Sequence, residues 1–227
     1  MRKIHVALLL MVLPLAGKAQ EFGLSFSYFV PRNGEFSTPV SPFSIRGIGA
    51  DLNRYLSVQT GASLYRMAGL NMTGLPFNSQ KPLAGPSLTL MVPAELVLQF
   101  GNKSASFSMK GGGFAYSSFF QRLNAGNFDR ALRTYENWTL ANSDLSGKSK
   151  PGFGWMAGVE FRMDVTRQWG LSFEVNYLAG KSPLAVSGTY SGVDSGGVLQ
   201  NRTADFKDAK LDLTGLEFSL GILMSGR

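Results

Sequence analysis

The sequence predicts an all-β chain: an eight-stranded antiparallel up-and-down transmembrane β-barrel with short periplasmic turns and long extracellular loops. Three observations carry this. Eight segments alternate apolar residues with Gly, Ser or charged ones, the period of a strand with two unlike faces. Their connections alternate between short and long, as in a barrel inserted from one side. Only 16% of the 227 residues are charged while 44% are apolar, against about 25% charged in ordinary soluble domains, yet no apolar run reaches the roughly 18 residues of a spanning helix.

In chain order, residues 1–19 read as a secretory signal peptide. Arg2 and Lys3 precede the apolar stretch Val6–Ala16, and Gly17-Lys18-Ala19 places small residues at −3 and −1 of a cut before Gln20. Residues 20–227 then form one barrel domain. Cleavage removes three of the 22 basic residues and the single His, leaving 19 basic against 15 acidic residues, a net charge of +4. That small excess gives no reason to expect a nucleic-acid partner.

The first strand alternates Phe22, Leu24, Phe26, Tyr28 and Val30 with Gly23, Ser25, Ser27 and Phe29. A poorly patterned second, about 43–52, puts Ile48, Ala50 and Leu52 on the apolar face. Leu56 to Leu64 and Leu88 to Leu98 follow in the even positions, and Phe107 to Ala115 and Phe153 to Met163 in the odd ones. Leu171 to Tyr177 and Leu216 to Met224 complete the eight. Residues 53–55, 101–104 and 167–169 are the short turns; 31–42, 68–86, 120–151 and 181–210 are the long loops. Each short turn carries a cation near an aromatic: Arg54 by Tyr55, Lys103 near Phe100, Arg167 by Trp169. That pairing suits a membrane–water boundary. Tyr28, Phe29, Tyr116, Phe119 and Phe153 form the expected aromatic group at the opposite strand ends.

A soluble periplasmic lipocalin-like binder would also alternate, but its apolar face would point inward. Here the opposite face is Gly, Ser and charge. An apolar band on all eight strands exceeds what a monomer leaves in water; in a bilayer, lipid covers it and closure satisfies the backbone.

The signal segment, the eight alternating segments, the turn–loop rhythm and the terminal Gly215-Leu-Glu-Phe218-Ser-Leu220 together resemble small outer-membrane barrels of the OmpA/OmpX type. The opening Glu21-Phe-Gly-Leu-Ser-Phe-Ser-Tyr-Phe-Val-Pro31 is similar to barrel proteins of Bacteroidetes-type bacteria. The resemblance implies a Gram-negative outer membrane, lipid and lipopolysaccharide as surroundings, and a monomer. It also implies insertion by the barrel-assembly machinery, which would read Gly215, Phe218 and Leu220. The chain departs from the family in ending Leu223-Met-Ser-Gly-Arg227, where an aromatic is common.

Catalysis has little to work with. The mature chain has no His and no Cys, so triads with a His base, His metal sites and thiolate chemistry are excluded. No metal, cofactor or enzymatic activity is expected. Gly111-Gly-Gly113 and Gly152-Phe-Gly154 sit in strands with no helix following, so they read as small residues relieving crowding inside a narrow barrel rather than phosphate loops.

The expected inward charges are Glu95, Lys110, Glu160, Arg162, Glu174 and Glu217. Centring one hairpin between Asn102 and Lys103 sets Glu95 opposite Lys110. Centring the next on Gln168 sets Arg162 opposite Glu174 and Glu160 opposite Asn176. Such pairs lie about 5 Å apart. They describe a salt-bridged plug, because eight strands leave an interior that side chains fill; the alternative is a narrow porin-like channel. In loop 120–151, Phe128, Leu132 and Tyr135 have helical spacing and Asp129–Arg133 is an i,i+4 pair. A short amphipathic helix there would lid the barrel or dock a partner, with Arg130, Arg133 and Tyr135 as contact candidates; a solvated loop turn is the alternative. Ser182–Tyr190 is read as prolonging the seventh strand. The expected role is structural or interactive, through the long loops.

The processing reading has a direct check. Intact-mass measurement on membrane-extracted protein should give a chain starting at Gln20; retention of residues 1–19 would overturn the assignment of compartment.

Overall fold

The computed structural model describes residues 21–32, 34–35, 44–102, 104–166 and 168–225. The signal segment, Lys103 and Arg167 lie outside them. Every predicted alternating segment is a strand. They are β1 (Glu21–Pro31), β2 (Ser44–Asp51), β3 (Leu56–Met67), β4 (Ser87–Gly101) and β5 (Ala105–Phe119). After helix α1 (Ala125–Glu136) come β6 (Leu140–Ser149), β7 (Gly152–Asp164), β8 (Trp169–Val193), β9 (Leu199–Phe206) and β10 (Gly215–Ser225).

Eight of these close a ring. Antiparallel pairing runs β1–β2–β3–β4–β5–β7–β8–β10 and returns from β10 to β1, from Glu21↔Ser225 to Pro31↔Gly215. In lipid an unpaired edge costs several kcal/mol per backbone group, so closure is what permits these strands to span. The outer faces are predominantly apolar: Leu96 is 55% exposed, Phe173 50% and Leu220 60%. This belt identifies a transmembrane barrel and overturns the soluble alternative, in which such residues would turn inward.

One end of the ring carries only tight turns. In each, a side-chain oxygen accepts backbone N–H groups that the ladder cannot satisfy. Asn53 Oδ1 accepts from Tyr55 and Leu56, Asn102 Oδ1 from Ser104 and Ala105, and Thr166 Oγ1 from Gln168 and Trp169. Arg54 lies over the Tyr55 ring, 5.4 Å from its centroid.

Both hairpin registers differ from expectation by two residues. The β4–β5 pairing sets Glu95 opposite Gly112 and Val97 opposite Lys110. In β7–β8, Glu160 faces Glu174, Arg162 faces Ser172 and Gly158 faces Asn176. A two-residue slip preserves the face of every side chain, so all six predicted charges still point inward.

Strand β2 holds Ile48 and Ala50 outward as expected, paired with Thr60 and Val58, and ends at Asp51, short of the expected Leu52. The register shifts between Ile45 and Ile48, where Gly47 has φ 76°. This β-bulge reverses the parity of the strand and turns Ser44 and Arg46 into the lumen, both buried.

At the other end, β8 continues past the ring. Its residues 184–193 pair with β6 on one side and 186–193 with β9 on the other, forming a three-stranded sheet. Helix α1 packs on the inner face of this sheet, with Phe128 and Leu132 fully buried. Asn124 caps its start by accepting from Asn127 N–H at 3.2 Å, and Asn137 ends it in a left-handed conformation, φ 54°. Tyr135 stays half exposed against the Phe77 ring. Asp129 accepts from the Ser143 hydroxyl at 2.6 Å rather than pairing with Arg133. Loop 68–86 is tied underneath by Asn127 Nδ2 donating to Pro82 O at 2.6 Å.

Gly47→Ala should lower stability by about 1–2 kcal/mol, since a side chain there must hold a left-handed backbone. The unfolding midpoint of purified protein in detergent measures this; an unchanged midpoint would show that the bulge is not needed to set β2.

Candidate functional site

The interior has two halves of opposite character. Toward the turn end, the inward positions of the eight ring strands are mostly Ser, Gln, Asn or charged, interspersed with Gly, with Val97 and Leu223 as the apolar exceptions. Arg46, brought in by the bulge, lies at the centre. Its guanidinium pairs with Glu174 Oε1 at 3.3 Å and with Glu217 Oε1, and it donates to Ser63 at 3.3 Å and Ser27 at 3.4 Å. Ser27 continues to Ser44 and Ser219, at 3.1 and 2.7 Å. Tyr65 donates its hydroxyl to Glu217. Asn176 Nδ2 bridges Glu174 Oε1 and Glu217 Oε2 at 2.7 and 2.8 Å.

Lys110 forms a second centre on the opposite wall. Its Nζ lies 2.8 Å from Glu160 and 3.3 Å from Glu174. Glu174 therefore joins the two cations, one on each carboxylate oxygen. The expected Glu95–Lys110 pair is replaced by these contacts: Glu95 is buried beside Gly112, and its Oε1 accepts no hydrogen bond among the described residues. The expected Arg162–Glu174 pair is replaced too. Arg162 sits lower, 3.4 Å from Asp164, on the rim of a cavity of about 270 Å³ that also touches Arg54, Gln99 and Ser106.

Toward the loop end the lumen is apolar, not polar as the Gly-Ser pattern suggested. Phe29, Met67, Met91, Phe114, Tyr116, Met156 and Leu178 fill it. Of the aromatics grouped at these strand ends, Phe29 and Tyr116 face inward and Tyr28, Phe119 and Phe153 face out; Phe29 lies on the face that its alternation with Phe22 to Val30 assigns. Gly154 makes room for the fill, since a Cβ there would lie 2.4 Å from the Phe114 ring. Of Gly111–Gly113, read as relieving crowding inside, Gly112 faces in, while Gly111 and Gly113 face outward with the odd-numbered set in which they alternate. The fill continues without a break into the loop end, through Leu70, Leu83, Leu211 and Leu213 to Phe128, Leu132, Leu184 and Val186.

A polar knot locks helix to sheet above this core. Glu136 accepts from the Tyr190 hydroxyl at 2.7 Å and pairs with Arg202 at 3.1 Å, and Arg202 lies over the Trp138 ring. Burial, reinforced by the Glu136 carboxylate, pushes the Tyr190 phenol up to about 12, so it remains a donor at neutral pH. The turn 194–198 is set by Asp194, whose Oδ1 accepts from Gly196 and Val198 N–H at 2.9 and 3.0 Å. The Val198 N–H, helped by Gln200, holds that carboxyl below its usual range.

The contact candidates Arg130 and Arg133 lie on the exposed side of α1. Arg130 borders a groove of about 300 Å³ with Asn78, Gln80, Lys81, Asn127 and Thr134. Among the described residues no group of His, Cys, Asp and Glu is arranged to hold a metal ion.

Fold and interior together define a transmembrane β-barrel with a charge-paired lower lumen, an apolar plug and a structured subdomain at its loop end. No family model and no curated protein matches the chain. It is similar to a major outer membrane protein from Thermus thermophilus, with 10% identity and a TM-score of 0.43, over 90% of this chain and 98% of that one. It is similar also to Ail, the attachment invasion locus protein of Yersinia pestis (12% identity, TM-score 0.39, 90% and 94% covered). A third is outer membrane protein W of E. coli (15%, 0.36, 90% and 97%). Membership of the membrane class rests on the closed ring and its apolar outer faces rather than on these likenesses.

Arg46→Met should cost about 3–5 kcal/mol, because it strands two buried carboxylates at once. Adding Glu217→Gln should restore part of that loss. A double-mutant cycle by denaturant unfolding in detergent measures the coupling; strictly additive losses would show that the two groups do not act as a pair.

Proposed function

We propose that this chain is a monomeric outer-membrane protein of a Gram-negative envelope, and that its barrel is a non-enzymatic anchor for the subdomain at its loop end. In this reading the signal segment delivers the chain to the periplasm, and the barrel-assembly machinery inserts it. The turns then face the periplasm and α1, β6, β9 and the outer part of β8 face the exterior.

The observation that carries the reading is the single apolar core joining the lumen plug to the subdomain. A loop that merely connects strands needs no such core. One that presents a surface does, because contact groups bind best when their geometry is set beforehand. The helix cap, the Glu136 knot and the Asn127–Pro82 bond serve that purpose. Lipid is the barrel's first partner. The groove beside α1, lined by Arg130 and Lys81 with amides and no carboxylate, suits phosphate groups such as those of lipopolysaccharide. The alternative of a narrow channel draws only on the polar lower lumen, since the upper lumen is filled.

Replacing residues 121–150 and 184–209 by short turns tests the proposal. The shortened barrel should still migrate differently before and after boiling on a detergent gel, because ring closure does not depend on these segments and long loops add little closure entropy. It should lose binding to cells or to lipopolysaccharide. Retained binding would place the function in the barrel, and steady single-channel conductance of the intact protein would favour the channel.

A further inference from the structure

The outer face of the three-stranded sheet is built from rows that the register defines. Ser191 lies opposite both Asn142 and Asn201, and Thr189 opposite both Asp144 and Thr203. These six side chains line one concavity of about 450 Å³. Among the described residues none of the six makes a side-chain hydrogen bond or ion pair within the chain. The inner face of the same sheet is the opposite case: Ser143, Tyr190 and Arg202 are all engaged by Asp129 or Glu136. Directly above the polar rows, Val193 lies opposite both Leu140 and Leu199, with the two leucines 65% and 67% exposed. This apolar row stands at the far end of β8, 12 residues beyond Lys181, its last pairing with β7, or roughly 40 Å along the strand at about 3.3 Å per residue.

Two amides, three hydroxyls and one carboxylate offer donors and acceptors in alternation, the combination that matches vicinal hydroxyl groups. An aliphatic row beside them offers a surface for C–H faces. The charge argues against an anionic ligand. Asp144 is the free charge of the concavity, and Arg202, the cation bordering it, is held by Glu136 at 3.1 Å. We infer that the outer face of the β6–β8–β9 sheet is a binding site for a neutral oligosaccharide, whose hydroxyls meet Asn142, Asp144, Thr189 and Asn201 and whose apolar face rests on Leu140, Val193 and Leu199. This rests on the reading of the loop subdomain as the exterior contact surface and names the chemical class of its partner.

The test uses the full mature protein in detergent on an array of neutral oligosaccharides, with sulfated and phosphorylated glycans as a charged arm. Binding to a neutral glycan is expected, and Asn142→Ala with Asn201→Ala should weaken it about tenfold, the effect of losing two hydrogen bonds. Unheated migration on a detergent gel verifies that each variant is folded. The inference is overturned if no neutral glycan binds the parent protein above the double variant. It is equally overturned if binding is confined to the charged arm, which would point to the Arg130–Lys81 groove. In either case loss of cell binding on loop replacement would leave the exterior-contact reading standing; if the loop-replaced barrel still binds cells, both fall.

Discussion

Everything in this molecule follows from the seam between β1 and β10. A sheet in lipid has no water to satisfy its edges, so the first and last strands must meet. Here they meet over the whole length of β1, Glu21↔Ser225 to Pro31↔Gly215. Closing eight strands fixes an interior just wide enough for side chains. Lipid outside assigns the charges along the middle of the ring strands to that interior, and the narrow interior then forces them into contact. Arg46, Lys110, Glu174 and Glu217 are neighbours because no other place in the wall would accept them.

The two halves of the lumen solve this confinement differently. Near the turn end, polar groups satisfy one another through shared partners; Glu174 binds two cations and one amide. Near the loop end, aromatic and methionine side chains fill the bore, and the inward glycines of β7 give Phe114 and Tyr116 their space. The apolar fill has a second effect. It supplies the floor on which α1 and loop 68–86 pack, so the loop-end subdomain inherits its rigidity from the barrel wall. Such a subdomain could not bury Phe128 or Leu132 alone.

Alternation made the ring legible in the sequence. Eight segments, their faces, the short-turn end and the inward direction of all six predicted charges follow from a period of two. Partner identity did not follow, because it depends on turn length: one misplaced turn moves every pair by two residues and leaves every face unchanged. That is why Glu95 and Lys110 were correctly placed inside and wrongly paired. Arg46 was missed for the converse reason. A bulge changes parity, and its one sign was a glycine after a cation in the least regular strand. The aromatic group at the strand ends was legible, but not that Phe29 and Tyr116 belong to a plug, because an aromatic near a strand end reads the same whether it meets lipid or a filled bore. In β6 and β9 both faces are rich in polar residues, so alternation had nothing to contrast; the sheet they form appears only once β8 is seen to run through it.

That long strand also has a mechanical meaning. At 25 residues, β8 extends for about 80 Å from one rim of the ring to the tip of the subdomain, with no break in its pairing with one neighbour or another. A pull on the tip is therefore carried along the strand axis into the wall, where β7 and β10 grip it on both sides. Load in that direction shears many hydrogen bonds together rather than opening them singly as a zipper does. A surface held this way resists being peeled from the barrel wall.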